Sequence, residues 1–171
     1  MTYEDIEKKF DGSGFAEPQK LYLITKAWWD FLKEQDKEIE QKVISENEFY
    51  FPEDVFPNRQ GGHKKGERIT DGDDACYLSG SDDWSRYYDL YYAEVKKRGL
   101  DKGYNRVIDC EARDMHFMAK NLLIDWVFEK ASDFAKDKSE FALLKGFDVK
   151  LVKQSYLYSE KVCDLAMQIR G

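Results

Sequence analysis

The sequence contains little histidine, cysteine and proline. Its 171 residues include two histidines, three cysteines and three prolines. Metal sites built from histidine and cysteine need clustered ligands, and neither a CxxC nor an HExxH pattern occurs, so we expect no metal ion and no other cofactor. The cysteines (Cys76, Cys110 and Cys163) are odd in number and far apart, unlike the dense, even set of a secreted disulfide framework. We therefore expect a reducing intracellular compartment, the cytoplasm, with all three thiols as small buried hydrophobes.

The sequence also lacks a long apolar run and an excess of positive charge. No stretch of roughly 18 apolar residues is present, so nothing is expected to span a membrane. The first residues lack the basic start and apolar stretch of a signal peptide. The formal net charge is −7, and the basic stretches 63–65 and 96–98 are short and flanked by acids. Because an acidic surface repels phosphate backbones, we expect no nucleic-acid partner.

The motifs of common catalytic sites are missing as well. There is no GxSxG, no Walker A and no GxGxxG pattern. The acid pairs 73–74 and 82–83 are sequence neighbours, so we interpret them as a polar turn and a helix start. Around Cys76, the residues Ala-Cys-Tyr-Leu-Ser are similar to the stretch that holds the nucleophile of ubiquitin-specific proteases. The acids at 71–74 would raise the thiol pKa and no partnered histidine follows, so we predict no catalytic residue.

Aromatic residues are what the sequence has in quantity. Eleven Tyr, eleven Phe and four Trp make up 15% of the chain. Each large ring can bury a large apolar area, and 171 residues suffice for one continuous core. We therefore predict a single folded domain over residues 1–171.

Helical spacing and capping residues predict several helices. They are expected at about residues 2–10, 25–45, 81–98, 111–136 and 160–170, with a shorter one at 139–146. Thr2 with Asp5, Thr25 and Ser81 are the predicted N-terminal caps. Between the second and third helices, residues 47–74 read as a loop. Short strands are expected at 49–51 and at 147–151. Apolar and polar residues alternate in the second of these segments.

The same spacing predicts which helix faces are buried. The second helix is expected to bury Trp28, Leu32, Gln35, Ile39 and Val43 and to expose Lys33, Glu34, Lys37, Glu38 and Glu40. The third is expected to bury Trp84, Tyr88, Tyr91 and Val95. The fourth is expected to turn Met115, Met118, Leu122 and Trp126, and also Ala119, Leu123 and Val127, inward. We expect Trp28, Leu32, Trp84, Tyr88 and Tyr91 to form one buried cluster.

Three segments together resemble the DUSP domain, the domain present in ubiquitin-specific proteases. They are Leu-Tyr-Leu-Ile-Thr-Lys-Ala-Trp-Trp-Asp-Phe-Leu-Lys at 21–33, Phe-Pro-Glu-Asp at 51–54, and Cys-Tyr-Leu-Ser-Gly-Ser-Asp-Asp-Trp-Ser-Arg-Tyr-Tyr-Asp-Leu-Tyr-Tyr at 76–92. The resemblance covers about residues 20–95. It implies an α+β fold in which a helical bundle packs on a small antiparallel sheet, with extra C-terminal helices and a helical insertion or extension at 107–142. It also implies a non-catalytic role in protein–protein contact.

These observations favour a non-catalytic protein–protein interaction module, acting alone or as a subunit of a larger intracellular assembly. The alternatives are an accessory or regulatory factor in ubiquitin processing, and a small enzyme with an unrecognised site. Trp29, Phe56 and Tyr92 are aromatic residues beyond those assigned to buried faces, and such rings often mark binding surfaces. We expect them to contact a protein partner, whose identity the sequence does not give. The alternative is that they are buried beneath the C-terminal helices.

Overall fold

The described part of the chain is built from helices. A computed structural model describes residues 1–100, 108–134, 141 and 143–169. The α-helices in these residues are α1 (Tyr3–Lys8), α2 (Glu17–Glu46), α3 (Trp84–Lys97), α4 (Ile108–Phe134), α5 (Val149–Gln154) and α6 (Tyr156–Ala166). Short 3₁₀-helices lie at Gly72–Leu78 and Leu143–Gly146.

The predicted α+β fold is wrong. Within the described ranges, β pairing consists of two isolated antiparallel bridges, Tyr50 with Arg68 and Val55 with His63. The strand expected at 49–51 therefore amounts to one bridge, because the chain bends at Pro52, whose ring fixes its backbone φ. The described residues form an all-α fold, without the sheet that the resemblance to the DUSP domain implied.

Helix α2 begins at Glu17 rather than at Thr25. Pro18 lies in its first turn, where a missing N–H costs nothing because the first N–H groups of a helix have no partner within it. Thr25 is instead a buried mid-helix residue whose hydroxyl donates to the Leu21 carbonyl at 2.8 Å. The apolar run 21–24 thus belongs to the helix.

The strand expected at 147–151 is replaced by the start of α5. The Asp148 carboxylate accepts a hydrogen bond from the Lys150 N–H at 2.7 Å and caps the helix. Ser155 caps α6 in the same way, so this helix begins at Tyr156 instead of residue 160. These two caps outweigh the short alternation of apolar and polar residues.

Other helix ends follow the sequence closely. Thr2 and Asp5 form the predicted capping box, with N–H to side-chain distances of 3.2 and 2.8 Å. Helix α3 ends before Gly99, whose positive φ of 71° suits glycine. It begins at Trp84, because the Ser81 hydroxyl donates to a backbone carbonyl instead of capping the helix. The predicted short helix at 139–146 lies partly outside the described residues.

The chain divides into two compact units. We call Met1–Asp30 with Cys110–Gly171 the terminal unit, and Phe31–Asp109 the central unit. Helix α2 contributes residues to both. The terminal unit has a largely aliphatic core, to which residues of α2, α4, α5 and α6 contribute. Its buried members are Tyr22, Leu123, Ile124, Val127, Phe141, Leu144, Val152, Val162, Cys163, Leu165 and Ala166.

Of the two faces that were predicted to point inward on α4, one is buried, and on the other Met115 and Trp126 are half-buried. Ala119, Leu123 and Val127 are buried as expected. Met118 and Leu122 were expected to face inward, yet they are 62% and 48% exposed. A helix buries one stripe of its surface, and here that stripe is the one through Leu123. None of the helices in the described ranges has the length and apolar character needed to cross a membrane.

The central unit has a core rich in aromatic rings. The Phe49 ring meets the Tyr87 ring edge-on at 5.8 Å, and Tyr87 packs between Trp84 and Tyr91. Tyr87 is buried, whereas Trp84 and Tyr88, which were expected to be buried, are half-exposed. The buried stripe of α3 is therefore Tyr87, Tyr91 and Val95.

The remaining expectations for buried residues are met in part. Trp28, Leu32, Ile39 and Val43 of α2 are buried as expected. Gln35 is half-buried and accepts a hydrogen bond from Arg98. Of the cysteines, Cys163 is buried but Cys76 is exposed, so the expectation that all three are buried is wrong.

Candidate functional site

Two segments of the central unit, residues 49–55 and 63–69, pair antiparallel at two places, on either side of a bend at 52–53 and a turn at 65–66. Backbone hydrogen bonds of 2.8–2.9 Å join Ile69 to Phe49, Phe51 to Glu67, and Val55 to His63 in both directions. Successive side chains of an extended chain point to opposite sides. Phe49 and Phe51 are accordingly buried, whereas Tyr50 between them is exposed. The pairing anchors this segment in the core and holds the Tyr50 ring at the surface.

His63 fastens the second segment to the first. Its ring stacks on the Phe51 ring with centroids 4.3 Å apart. Its Nδ1 lies 2.7 Å from a Glu67 carboxylate oxygen, and its Nε2 lies 3.6 Å from Asp74. The His63 side chain is half-buried and contacts Phe51, Glu67 and Asp74. His63 thereby links the 63–69 segment to Phe51 of the 49–55 segment and to Asp74.

A groove of about 680 Å³ opens at this part of the central unit. It is lined by residues 50–56, by Tyr77 and by residues 79–83. Three of its aromatic rings are exposed: Tyr50 by 43%, Phe56 by 60% and Tyr77 by 38%. Single exposed apolar side chains are common on proteins, but several rings around one concavity are typical of binding surfaces. We call this site the aromatic groove.

The aromatic groove is also acidic. Its lining contains Glu53, Asp54, Asp82 and Asp83 and, among the described residues, no lysine, arginine or histidine. Asp54 accepts a hydrogen bond from the Lys65 backbone N–H at 2.8 Å, and Asp83 lies 3.5 Å from the Arg86 guanidinium. In the part of the chain that the structure describes, no ion pair involves Glu53 or Asp82. These carboxylates create a negative potential in the groove, which favours a cation there.

Phe56 is held at the groove by a strained backbone. Its φ is +45°, a left-handed conformation that bulky residues rarely adopt and that costs on the order of 1–3 kcal/mol. The loop closes behind it through Gly62, where an added Cβ would lie 2.0 Å from the Phe56 carbonyl oxygen. A side chain at position 62 would therefore not fit. The guanidinium carbon of Arg59 lies 5.2 Å from the centroid of the Phe56 ring.

Trp29 and Tyr92, the other two residues expected to bind a partner, do not line the aromatic groove. Trp29 belongs to the terminal unit, where its half-buried ring packs against His116 and Phe117. Tyr92 is half-buried on α3, and its ring centroid lies 4.7 Å from that of Tyr88. The structure therefore places one of the three expected residues, Phe56, at the groove.

The central unit also holds two partly buried carboxylates one turn apart on α2. Burial raises the pKa of Asp36 to about 6, although the Tyr91 hydroxyl donates a hydrogen bond to it. Burial, together with the charge of Asp36, raises the pKa of Glu40 to about 8. Glu40 was expected on the exposed face of the helix, and that expectation is wrong. Neither carboxylate lines the groove.

Three buried polar side chains of the terminal unit have side-chain or backbone partners. His116 is 3% exposed, lies 3.2 Å from the Thr25 hydroxyl, and has its pKa lowered to about 4 by burial. The buried Lys120 ammonium contacts the Glu160 carboxylate at 2.7 Å. The Gln19 amide donates to two backbone carbonyls at 2.7 Å each. These contacts bind helices together, and we assign them a structural role.

Cys76 lies in the 3₁₀-helix of the central unit. Burial and the nearby Asp74 carboxylate raise the pKa of its thiol, in the direction expected from its acidic sequence. The thiol donates to the Asp73 carbonyl at 3.4 Å. A raised pKa keeps the less nucleophilic thiol form at neutral pH. Among the described residues, no group of histidine, cysteine and acidic side chains is arranged to hold a metal ion.

Most residues of the groove were not predicted from the sequence. The pair 82–83 was expected to be a helix start, and Asp83 does precede the first residue of α3, although its side chain makes no capping hydrogen bond. Both residues also line the groove. Glu53 and Asp54 lie in a proline-containing loop, where no local signal marks them as residues of a binding site. Only the antiparallel pairing and the 3₁₀-helix bring these acids to one concavity. Tyr77 and Tyr50 carry no local signal that separates them from core aromatics.

Comparisons with known proteins give no relative for this chain. No family model, no curated protein and no solved structure matches it. The resemblance of residues 20–95 to the DUSP domain therefore stays a prediction from the sequence.

Proposed function

We propose that the chain is a non-catalytic protein-interaction module whose binding site is the aromatic groove. The proposal rests on three exposed aromatic rings that surround one concavity of about 680 Å³. Such rings offer large contact areas with few rotatable bonds, and they supply much of the binding energy at protein interfaces. The strained backbone of Phe56 supports the same proposal, because strain tends to persist where a side chain is needed in a given position.

The distribution of perturbed groups favours binding over catalysis. A catalytic site brings groups of shifted pKa into the cavity that receives the substrate. Here Glu40, His116 and Cys163 have strongly shifted pKa values, and none of them lines the groove. The groove supplies rings, carboxylates and backbone, which are the components of a recognition surface. We place the module in a reducing intracellular compartment, where the exposed Cys76 thiol stays reduced.

A peptide selection tests the proposed function. Random peptides displayed on phage are selected on the wild-type protein and then tested on the Phe56→Ser and Tyr77→Ser variants. Leu157→Ser is the matched control, because Leu157 is 81% exposed and belongs to the terminal unit. Thermal unfolding of each variant shows whether it is folded.

We expect the selected peptides to bind the wild-type protein and the Leu157→Ser variant alike. Each groove substitution should weaken binding by about tenfold, since truncating a hot-spot ring costs roughly 1–2 kcal/mol or more. Peptides that bind all variants equally would show that the groove is not the site. A selection that enriches no peptide on the wild-type protein would also argue against the proposal.

A further inference from the structure

We propose that the aromatic groove recognises an arginine-bearing segment of a partner protein. This inference rests on the proposed function and adds the chemistry of the partner. A groove lined by exposed rings alone would suit any apolar segment. The groove here adds four carboxylates to three exposed rings, and that combination selects for a cation with a flat face.

Charge complementarity is the first argument. Glu53 and Asp82 line the groove without an ion pair in the described part of the chain. Asp54 and Asp83 have one contact each, to a backbone N–H and to Arg86, and a carboxylate can accept further hydrogen bonds. A cationic side chain entering the groove would relieve the repulsion among these groups. An acidic segment would be repelled, so charge excludes one class of partner.

The exposed aromatic rings of the groove favour arginine over lysine as the cationic residue of the partner. A guanidinium is planar, stacks on aromatic faces and donates to carboxylates in a fork, whereas an ammonium is a compact, strongly hydrated charge. The protein already uses this chemistry beside the groove. The Arg86 guanidinium lies 4.0 Å from the Phe49 ring centroid, faces Asp83 and donates to the Glu48 carbonyl at 2.6 Å.

Arg59 is a second arginine beside an aromatic ring, and it would compete with an arginine of the partner for the Phe56 ring. Its guanidinium carbon lies 5.2 Å from the centroid of the Phe56 ring, and its side chain is otherwise in solvent. An incoming arginine that stacks on Phe56 would meet this cation. Arg59 therefore occupies part of the surface that a cationic ligand needs. Removing its charge should strengthen binding, an effect opposite to that of most changes near a binding site.

The test uses short fluorescent peptides and fluorescence anisotropy with the whole chain. One peptide carries two arginines among small apolar residues, and its matched control carries citrulline, the neutral isostere, at both places. A third peptide carries lysine. The protein variants are Glu53→Gln with Asp82→Asn, Arg59→Gln, and Glu129→Gln as a control for lost charge in the terminal unit.

We expect the arginine peptide to bind about tenfold more tightly than the citrulline peptide, and lysine to rank between them. The double variant should lose about tenfold in affinity for the arginine peptide and little for citrulline. Arg59→Gln should gain about two- to fivefold, whereas Glu129→Gln should leave the dissociation constant unchanged. Added salt should weaken binding of the arginine peptide.

Two results would overturn the inference while leaving the proposed function intact. One is citrulline and arginine peptides of equal affinity, both lost in Phe56→Ser. The other is groove-dependent binding of selected peptides that lack basic residues. Displacement of the arginine peptide by low millimolar Ca²⁺ would assign the groove to a metal ion instead and would also overturn it. Failure of every peptide, including the selected ones, would reject both the inference and the proposed function.

Discussion

The two units place their polar side chains in different ways. The terminal unit buries His116, Lys120 and Gln19, and each has a side-chain or backbone partner within 3.2 Å. The central unit partly buries Asp36 and Glu40, and no ion pair involves either carboxylate among the described residues. Among the described residues, the Tyr87 hydroxyl of the central unit and the Arg113 Nε of the terminal unit are buried without a hydrogen-bond partner.

This difference bears on how polar side chains affect the free energy of unfolding of each unit. Partnered polar groups in a core cost little and fix how helices meet. Partly buried carboxylates without an ion pair lower the free energy of unfolding. The central unit also carries the strained Phe56 and the aromatic groove. Proteins tend to tolerate such costs near functional sites, and the central unit is accordingly the one to which we assign binding.

The largest expected effect tests the aliphatic core of the terminal unit. Leu123 is 0% exposed, and its neighbour Leu122 is 48% exposed. Leu123→Ala should lower the free energy of unfolding by about 3 kcal/mol, because it deletes buried methyl groups and leaves a cavity. Leu122→Ala should cost less than about 1 kcal/mol. Urea denaturation measures both, and equal losses would show that α4 does not bury the Leu123 stripe.

The next effect concerns the partnered histidine of the terminal unit. The folded pKa of His116 is about 4, below its ordinary value of 6.5. Between these values the unfolded chain binds more protons, so stability falls as the pH drops from 6.5 towards 4. The loss attributable to His116 should be about 2–3 kcal/mol. His116→Gln should remove that part of the pH dependence, whereas His63→Gln should retain it. A retained slope in His116→Gln would show that the imidazole is not the titrating group.

A pair of tyrosines sharpens the contrast within the central unit. Tyr91 donates a hydrogen bond to Asp36, whereas the Tyr87 hydroxyl has no hydrogen-bond partner in the described part of the chain, although both side chains are buried. Tyr91→Phe should cost about 1.5 kcal/mol, because it leaves a partly buried carboxylate without its donor. Tyr87→Phe should be neutral or slightly stabilising. Denaturation midpoints compare the two directly, and a loss in Tyr87→Phe as large as in Tyr91→Phe would mean that its hydroxyl is partnered in solution.

The parts of this fold that local signals specify were predictable from the sequence. The Thr2–Asp5 box and the end of α3 before Gly99 depend on neighbouring residues only. Helix α4 was located, but its buried side was not resolved. Its apolar residues form two adjacent stripes, and spacing alone does not show which stripe meets the core.

The groove was less predictable because it depends on contacts between distant segments. Phe56 was identified as an aromatic residue without a core position, and it does line the groove. The carboxylates at 53–54 and 82–83 reach it only through the antiparallel pairing and the 3₁₀-helix. The raised pKa of Glu40 was hidden for a related reason, since its position on α2 fits an exposed face until the rest of the central unit packs beside it.

The smallest expected effect has the opposite sign to that of His116. The folded pKa of Glu40 is about 8, above its ordinary value of 4.5, because of burial and the charges of Asp36, Asp73 and Asp109. Between pH 4.5 and 8 the folded chain therefore binds more protons than the unfolded chain, and stability falls as the pH rises through this window. Because Glu40 is only half-buried, solvent screening should limit the effect to about 1 kcal/mol.

Substitution by glutamine isolates the contribution of Glu40 ionisation to stability, because glutamine resembles the protonated carboxyl group and does not ionise. Glu40→Gln should be more stable than the wild type at pH 8 and nearly equal to it at pH 5. Glu34→Gln, at an exposed position of the same helix, should follow the wild type at both values. Urea denaturation at the two pH values supplies the measurement. If Glu40→Gln is no more stable than the wild type at pH 8, the carboxylate is solvated there, and the central unit does not bear the cost that distinguishes it from the terminal unit.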